Sequence, residues 1–264
     1  MENFFTKTVE FTTCGIMNVP AIPILYEDDD VIAIDKPAGL VVNRARSVKG
    51  KTIQDWAENR FTKNDVRFTN SSDESKLLFR ERSGVVHRID KETSGILLIA
   101  KHPAALEHLL GQFKNREVEK EYVCLAHGEV VPSSGTIQAP LGRLAWRHGL
   151  FGVMPGGKHA VTHYTVVKTY TDQKDQYSLL QVKIETGRTH QIRVHLQYIG
   201  HPVVGDLFYA GRKRTKKARV WCPRLFLHAS RIRFRQPITG DTVEVESTLP
   251  EELTGVLSKL QVTG

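Results

Sequence analysis

Asp90 follows His87 and Arg88 in the run HRIDKETSGILLIAK (His87–Lys101), at the entrance to an apolar stretch. A carboxylate there has two readings. Asp-Lys-Glu-Thr-Ser-Gly is good turn chemistry, in which the acid merely caps a backbone N–H. The crowding of His87, Arg88 and Lys91 around it supports the other reading. An ionised carboxylate in a partly dry cleft persists only when paired, and one so held can attack a sugar C1′ or stabilise an oxocarbenium-like state there.

Far downstream, GRTHQIRVHLQYIGHPVVGD (Gly187–Asp206) supplies arginines and histidines. Arg188 stands at the open end of a predicted helix over Thr189–Ile199. It either reaches solvent, pairs with Glu185, or serves as the partner of Asp90. In that helix Ile192, Leu196 and Ile199 form the core stripe, and Arg193 and Gln197 fall off it. His190 and His195 are five apart, which misses the i, i+4 spacing of a helical zinc pair, and no HExxH occurs, so no metal site is expected.

Tyr122 reads either as strand packing or as a flat platform for an extruded base. The densest positive run, GRKRTKKAR, contains Arg212, Lys213, Arg214, Lys216, Lys217 and Arg219. It is either a solvated loop or a strap for phosphates with no sequence-reading power of its own. Arg143, Trp146 and Arg147 combine charge with a stacking ring in a neighbouring loop. No glycine-rich phosphate loop, nucleophile elbow or dinucleotide fingerprint is present.

These groups need a scaffold, and 264 residues suffice for a substantial core. The 37 basic against 29 acidic residues give a formal charge of +8, which favours a polyanionic partner. Cys14, Cys124 and Cys222 are scattered and odd in number, so neither a disulfide framework nor a metal knuckle is expected. MENFFTKTVEF does not read as a secretory signal, and no apolar run approaches the roughly 20 residues of a membrane span. A reduced, cytoplasmic compartment is the expectation.

Residues 1–20 read as a short arm and 21–262 as one domain. Strands are predicted at Ile24–Glu27, Val31–Asp35, Gly95–Lys101, Val118–Gly128, His159–Tyr170, Gln176–Glu185, Leu225–Phe234 and Thr242–Glu246. Helices are predicted at Thr52–Phe61, His102–Asn115, Thr189–Ile199 and Glu251–Leu260. Residues 62–83 read as a long surface loop and Pro140–Gly157 as an exposed loop. No βαβ unit repeats, so the fold class is α+β: a mainly antiparallel mixed sheet with flanking helices and loops.

HRIDKETSGILLIAK resembles the signature of the RluA-type RNA pseudouridine synthases, HRLD followed by TSG and an apolar run. KEYVCLAHG (Lys120–Gly128) resembles that family's K-x-Y strand, and GRTHQIRVHLQYIGHPVVGD its most extended motif. LHASRIRFRQP (Leu227–Pro237) and YEDDDVIAIDKPAGLVV resemble two further blocks. All fall in the family's order, and Ile89 for leucine is a volume-conserving departure.

The resemblance implies an isomerase that converts uridine to pseudouridine in structured ribosomal or transfer RNA. The C1′–N1 bond breaks, the uracil turns and C1′ bonds to C5, with atoms and redox state conserved and hence no cofactor. It implies Asp90 as the essential acid, Arg188 as its ionic partner and Tyr122 as the residue packed on the base and a candidate to assist proton removal from C5. Arg88 would fill the gap left by the flipped nucleotide. His87, Thr189, Gln191 and Arg193 are expected to touch substrate, and the partner is expected to be RNA, bound by a monomer whose catalytic domain is 21–262, with no separate N-terminal RNA-binding domain. The alternative is a silent RNA-binding or assembly factor on the same scaffold. Its expected mark would be loss of the acid or its arginine, and both are present.

Overall fold

The computed structural model describes residues 21–61, 74–145, 147 and 149–263. The arm at 1–20, residues 62–73 and Trp146 lie outside the described residues. A ten-stranded sheet forms the frame, in the order β1-β2-β3-β10-β4-β9-β8-β12, with β11 added on β10 and β5 on β8. These strands are β1 (Ile24–Glu27), β2 (Val31–Lys36), β3 (Ser94–Ala100), β4 (Glu119–His127), β5 (Ser134–Gln138), β8 (Val161–Thr171), β9 (Gln176–Ile184), β10 (Leu227–Arg235), β11 (Thr242–Glu246) and β12 (Gln261–Val262). All pairings are antiparallel except β3 with β10, so the α+β reading holds.

The motif strands occupy the middle of this sheet. β3 is buried at every position, which is why its sequence reads as a continuous apolar run rather than an alternating one. The parallel β3–β10 contact requires Gly95. Its φ is +110°, and a Cβ there would meet the Ala229 carbonyl oxygen at 2.2 Å. Thr-Ser-Gly therefore ends the Asp90 turn where two backbones nearly touch.

Helix α1 (Ile53–Arg60) starts from Thr52 in a reciprocal capping box with Asp55. α3 (Pro103–Asn115) begins with Pro at its first position and packs on β3 and β10 through Ala105, Leu106 and Leu109. α4 (Gln191–Tyr198) is buried at every position from Gln191 to Leu196. The short α6 (Glu251–Leu257) buries Leu253 and Val256 in a second cluster with Phe226 and Tyr177.

Three loop expectations are corrected. Residues Glu74–Arg82, in the segment read as loop, form α2, anchored by fully buried Phe79 against Phe61 at 6.2 Å between ring centroids. One aromatic anchor in a charged stretch leaves no periodic stripe to read. Pro140–Gly157 contains a hairpin, β6 (Leu141–Arg143) with β7 (Phe151–Val153), whose Leu141 is buried. The basic run forms α5 (Arg212–Ala218), where lysine and arginine are good helix formers despite their mutual repulsion.

Candidate active site

β4, the Asp90 turn, the end of α3 and the start of α4 enclose a cleft of about 530 Å³. Its lining includes Asp90, Tyr122, Arg188, His190 and Arg193, so the two distant motifs do converge. The turn is held from several sides. Ile89 is buried, the Thr93 N–H donates to the Asp90 carbonyl at 3.1 Å, and the Gly39 N–H donates to the Lys91 carbonyl at 2.8 Å.

Lys36 is fully buried at the end of β2 and donates to the carbonyls of Pro37 (2.8 Å), Leu40 (3.0 Å) and Lys91 (3.2 Å). It thereby ties the Lys-Pro-Ala-Gly loop to the Asp90 turn. Burial pulls its pKa down to about 7, against the opposing pull of Asp90 and Glu92.

The capping reading of Asp90 does not survive. Among the described residues no backbone N–H bonds its carboxylate, whose Oδ2 accepts from Arg193 Nη1 at 3.0 Å. Arg193 in turn donates Nε and Nη2 to Asp206 at 2.7 and 3.0 Å. Its side chain is 4% exposed, and that of Asp206 is 0% exposed. Burial opposes the Arg193 charge, but the bond and charge of Asp206, then of Asp90, outweigh it and raise the guanidinium's pKa. One cation thus bridges a sealed carboxylate and a cleft-facing one.

Asp206 is fixed by the Phe208 and Tyr209 N–H groups, at 2.8 and 3.1 Å on Oδ1. Gly205 before it has φ +77°, and a Cβ there would lie 2.0 Å from the Arg224 carbonyl oxygen. The Phe208 and Tyr209 rings cover the guanidinium, with centroids 5.6 and 5.0 Å from Cζ.

The expected Asp90–Arg188 partnership is not formed. Arg188 precedes α4 and turns its Nε to the His159 carbonyl at 3.1 Å, at the rim of the cleft. Arg193, expected off the core stripe, takes its place because α4 is buried on its polar face as well. Tyr122 is buried beside Asp90, and burial, then the Asp90 charge, raises its phenol pKa. It is held as the neutral phenol, a stacking face and proton donor rather than a ready phenolate base.

Other expected contacts divide. Arg88 is exposed and Thr189 half-buried, both in the cleft lining. His87 forms a wall. Its Nε2 accepts the Leu98 N–H at 3.1 Å, its ring stacks on Phe113 at 4.7 Å, and burial lowers its pKa to about 3.

Gln191, expected to touch substrate, lines the cleft and has all its polar capacity engaged internally. It donates to the Val161 carbonyl (2.9 Å) and Thr162 Oγ1 (3.0 Å) and accepts from Thr186 Oγ1 (2.7 Å) and the Arg188 N–H (3.0 Å). His195 is likewise fixed between Thr162 Oγ1 and the Ala139 carbonyl.

None of Arg212, Lys213, Arg214, Lys216, Lys217 and Arg219 lines the cleft. α5 is anchored behind it through Thr215 Oγ1 on the Asp206 carbonyl at 3.0 Å, and Lys217 is paired with Asp175. Arg143 lies over the Phe151 ring at 5.7 Å. The cations that do line the cleft are Arg88, Lys114, Arg116 and Arg188, together with Lys120, which is buried with its Nζ 5.4 Å over the Phe113 ring. Three of these escaped the sequence reading, although Lys120 sits in the K-x-Y motif. His190, Tyr209, Asp206 and Lys36 were also missed.

Comparison with known proteins identifies the family. Residues 30–198 match the family model described as RNA pseudouridylate synthase. The Bacillus subtilis protein named uncharacterized RNA pseudouridine synthase YlyB is 37% identical over 243 residues, covering 92% of this chain and 74% of that one. Ribosomal large subunit pseudouridine synthase D of Vibrio cholerae is 35% identical over 238 residues, covering 87% and 68%. The solved structure of human RNA pseudouridylate synthase domain containing 1 superposes with a TM-score of 0.68 at 27% identity, covering 92% of this chain and 89% of that one. The chain belongs to the RNA pseudouridine synthases, and within them to the RluA type. It is an RNA-uridine isomerase. Among the described residues no helix is long and apolar enough to cross a membrane.

Proposed function

We propose that this enzyme isomerises a uridine in large-subunit ribosomal RNA, acting as a cytoplasmic monomer with Asp90 as the reacting acid. The observation that carries the role of Asp90 is its position in the cleft on a guanidinium whose other face is neutralised by sealed Asp206. The ribosomal substrate rests on relatives whose names specify the large subunit.

The target uridine leaves its stack and enters the cleft, at a cost of a few kcal/mol that backbone contacts must offset. Arg88, Lys114, Arg116 and Arg188 meet the flanking phosphates. Arg88 takes the vacated space, and the uracil stacks on Tyr122. Asp90 acts on the sugar while the C1′–N1 bond breaks, either by forming an ester at C1′ that C5 later displaces or by taking a C2′ proton that it later returns. The retained uracil turns and C5 bonds to C1′. One proton leaves C5 and one arrives at N1, so the product is an isomer. Arg193 holds the Asp90 carboxylate in place, and Arg188 serves RNA rather than the acid.

The test is to map pseudouridines in total RNA from cells with and without the gene. Loss of pseudouridine at a large-subunit ribosomal position, restored by the wild-type gene, is the expected result. Loss confined to transfer RNA would overturn the ribosomal assignment, and no loss anywhere would overturn the reading as a whole.

A further inference from the structure

His190 is outside the roles described so far, yet it faces Asp90. Its Nε2 lies 3.9 Å from Asp90 Oδ2, too far for a direct hydrogen bond. The backbone holds it there at a cost, since His190 sits at φ 58°, ψ 22°, a left-handed conformation that L side chains rarely adopt. Such strain at a cleft residue is of order 1–3 kcal/mol and points to a local task.

The tautomer of this ring is set by its neighbours. Tyr209 Oη accepts the Phe151 N–H at 3.0 Å and lies 2.8 Å from His190 Nδ1. With Phe151 as donor, the acceptor within reach of the tyrosine proton among the described residues is Nδ1. The chain then runs Phe151 N–H to Tyr209 Oη–H to His190 Nδ1, and the ring proton resides on Nε2. Burial, with the Arg193 charge, disfavours a second proton against the pull of Asp90. The Phe151 and Tyr209 rings meet the imidazole edge-on, at 5.8 and 5.6 Å, and lock its plane.

The cleft therefore presents one donor, His190 Nε2–H, and one acceptor, Asp90 Oδ2, across a gap that a single hydroxyl fits. An oxygen about 2.8 Å from each would subtend roughly 90°, accepting from one and donating to the other. In an internal RNA nucleotide the 3′ and 5′ oxygens are esterified, which leaves the 2′-hydroxyl as the free ribose hydroxyl. It is also one carbon from C1′, where Asp90 acts in the proposed function.

We propose that His190 and Asp90 together bind the 2′-hydroxyl of the target nucleotide, and that His190 thereby adds to the site's preference for ribose over deoxyribose. This rests on the proposed role of Asp90. Tyr209 is a positioning residue for His190.

The test is a cycle between enzyme and substrate. The probes are a stem-loop RNA carrying the mapped uridine and the same stem-loop with one 2′-deoxyuridine at that position, both followed by single-turnover kcat/KM. Wild-type enzyme is expected to prefer the all-ribose RNA by about 10- to 100-fold, the range of one hydrogen bond to a charged group. H190A is expected to lose about 2- to 10-fold on the all-ribose RNA, the range of one hydrogen bond between neutral groups, and to show a ribose preference smaller by that factor, the remainder being the bond to Asp90. Y209F, which keeps the imidazole but frees its tautomer, is expected to show an intermediate preference. An unchanged ribose preference in both variants would overturn the assignment, as would a wild-type enzyme indifferent to the 2′-hydroxyl. Failure of wild-type enzyme to convert the all-ribose RNA would instead overturn the reading of function, and the proposal with it.

Discussion

Replacing Arg193 with methionine separates the two arginines of GRTHQIR. The Arg193 side chain is 4% exposed and makes three charge-assisted bonds of 2.7 to 3.0 Å to two carboxylates. Arg193→Met leaves Asp206 sealed and Asp90 facing it, with no cation between them. Breaking a buried pair by removing one partner costs about 3–5 kcal/mol. At about 2–4 °C per kcal/mol for a chain of this size class, Tm should fall by roughly 6–20 °C. Arg188→Met removes one bond, from a partly exposed Nε to the His159 carbonyl, and should stay within about 0.5 kcal/mol of wild type. Thermal denaturation of both variants at neutral pH, with turnover at saturating RNA, is the assay. Arg193→Met should lose turnover as well as stability, whereas Arg188→Met should raise KM and largely keep kcat. Equal Tm losses, or a kcat collapse confined to Arg188→Met, would refute the assignment of Arg193 as the partner of Asp90.

Asp206→Asn should cost more stability than Asp90→Asn, because only the former strips Arg193 of its sealed partner; urea midpoints of the two variants decide it. Lys36 titrates near 7 when folded against 10.5 for a free lysine, so folding opposes its charge. The cost is complete below pH 7 and is relieved as pH rises toward 10.5, by at most about 1.4 kcal/mol per pH unit. The stability of wild type relative to Lys36→Met should therefore climb between pH 7 and 10, and parallel profiles in chemical denaturation would contradict that. Neutralising Arg88, Arg116 and Arg188 together should reduce the slope of log affinity against log salt by about 2, given roughly 0.7 per single-strand phosphate contact. An unchanged slope would remove the rim from the RNA path.

The fold was legible where burial leaves a periodic or continuous mark. Fully buried β3 and Pro-started α3 stand in the sequence almost where they stand in the structure. The acid and the tyrosine were legible too, from their motifs. The choice between Arg188 and Arg193 was not. Amphipathic reasoning assigns a residue off the apolar stripe to solvent, but α4 is buried on its polar face as well, with Arg193 at 3% exposure. His190 and Tyr209 escaped because their pairing depends on one left-handed residue, a feature that no periodicity announces. Lys36 leaves no mark in the sequence, since its buried ammonium joins the nearby Pro37 and Leu40 carbonyls to that of Lys91, a contact made only in the fold.

In the proposed function Asp90 acts on the sugar while binding is carried by others. Asp90→Asn keeps the shape of the side chain and its carbonyl acceptor toward Arg193, and removes only the reacting charge. Purified Asp90→Asn should bind the target stem-loop within a few-fold of wild type and form no pseudouridine in single-turnover reactions. Turnover near the wild-type rate would contradict the account.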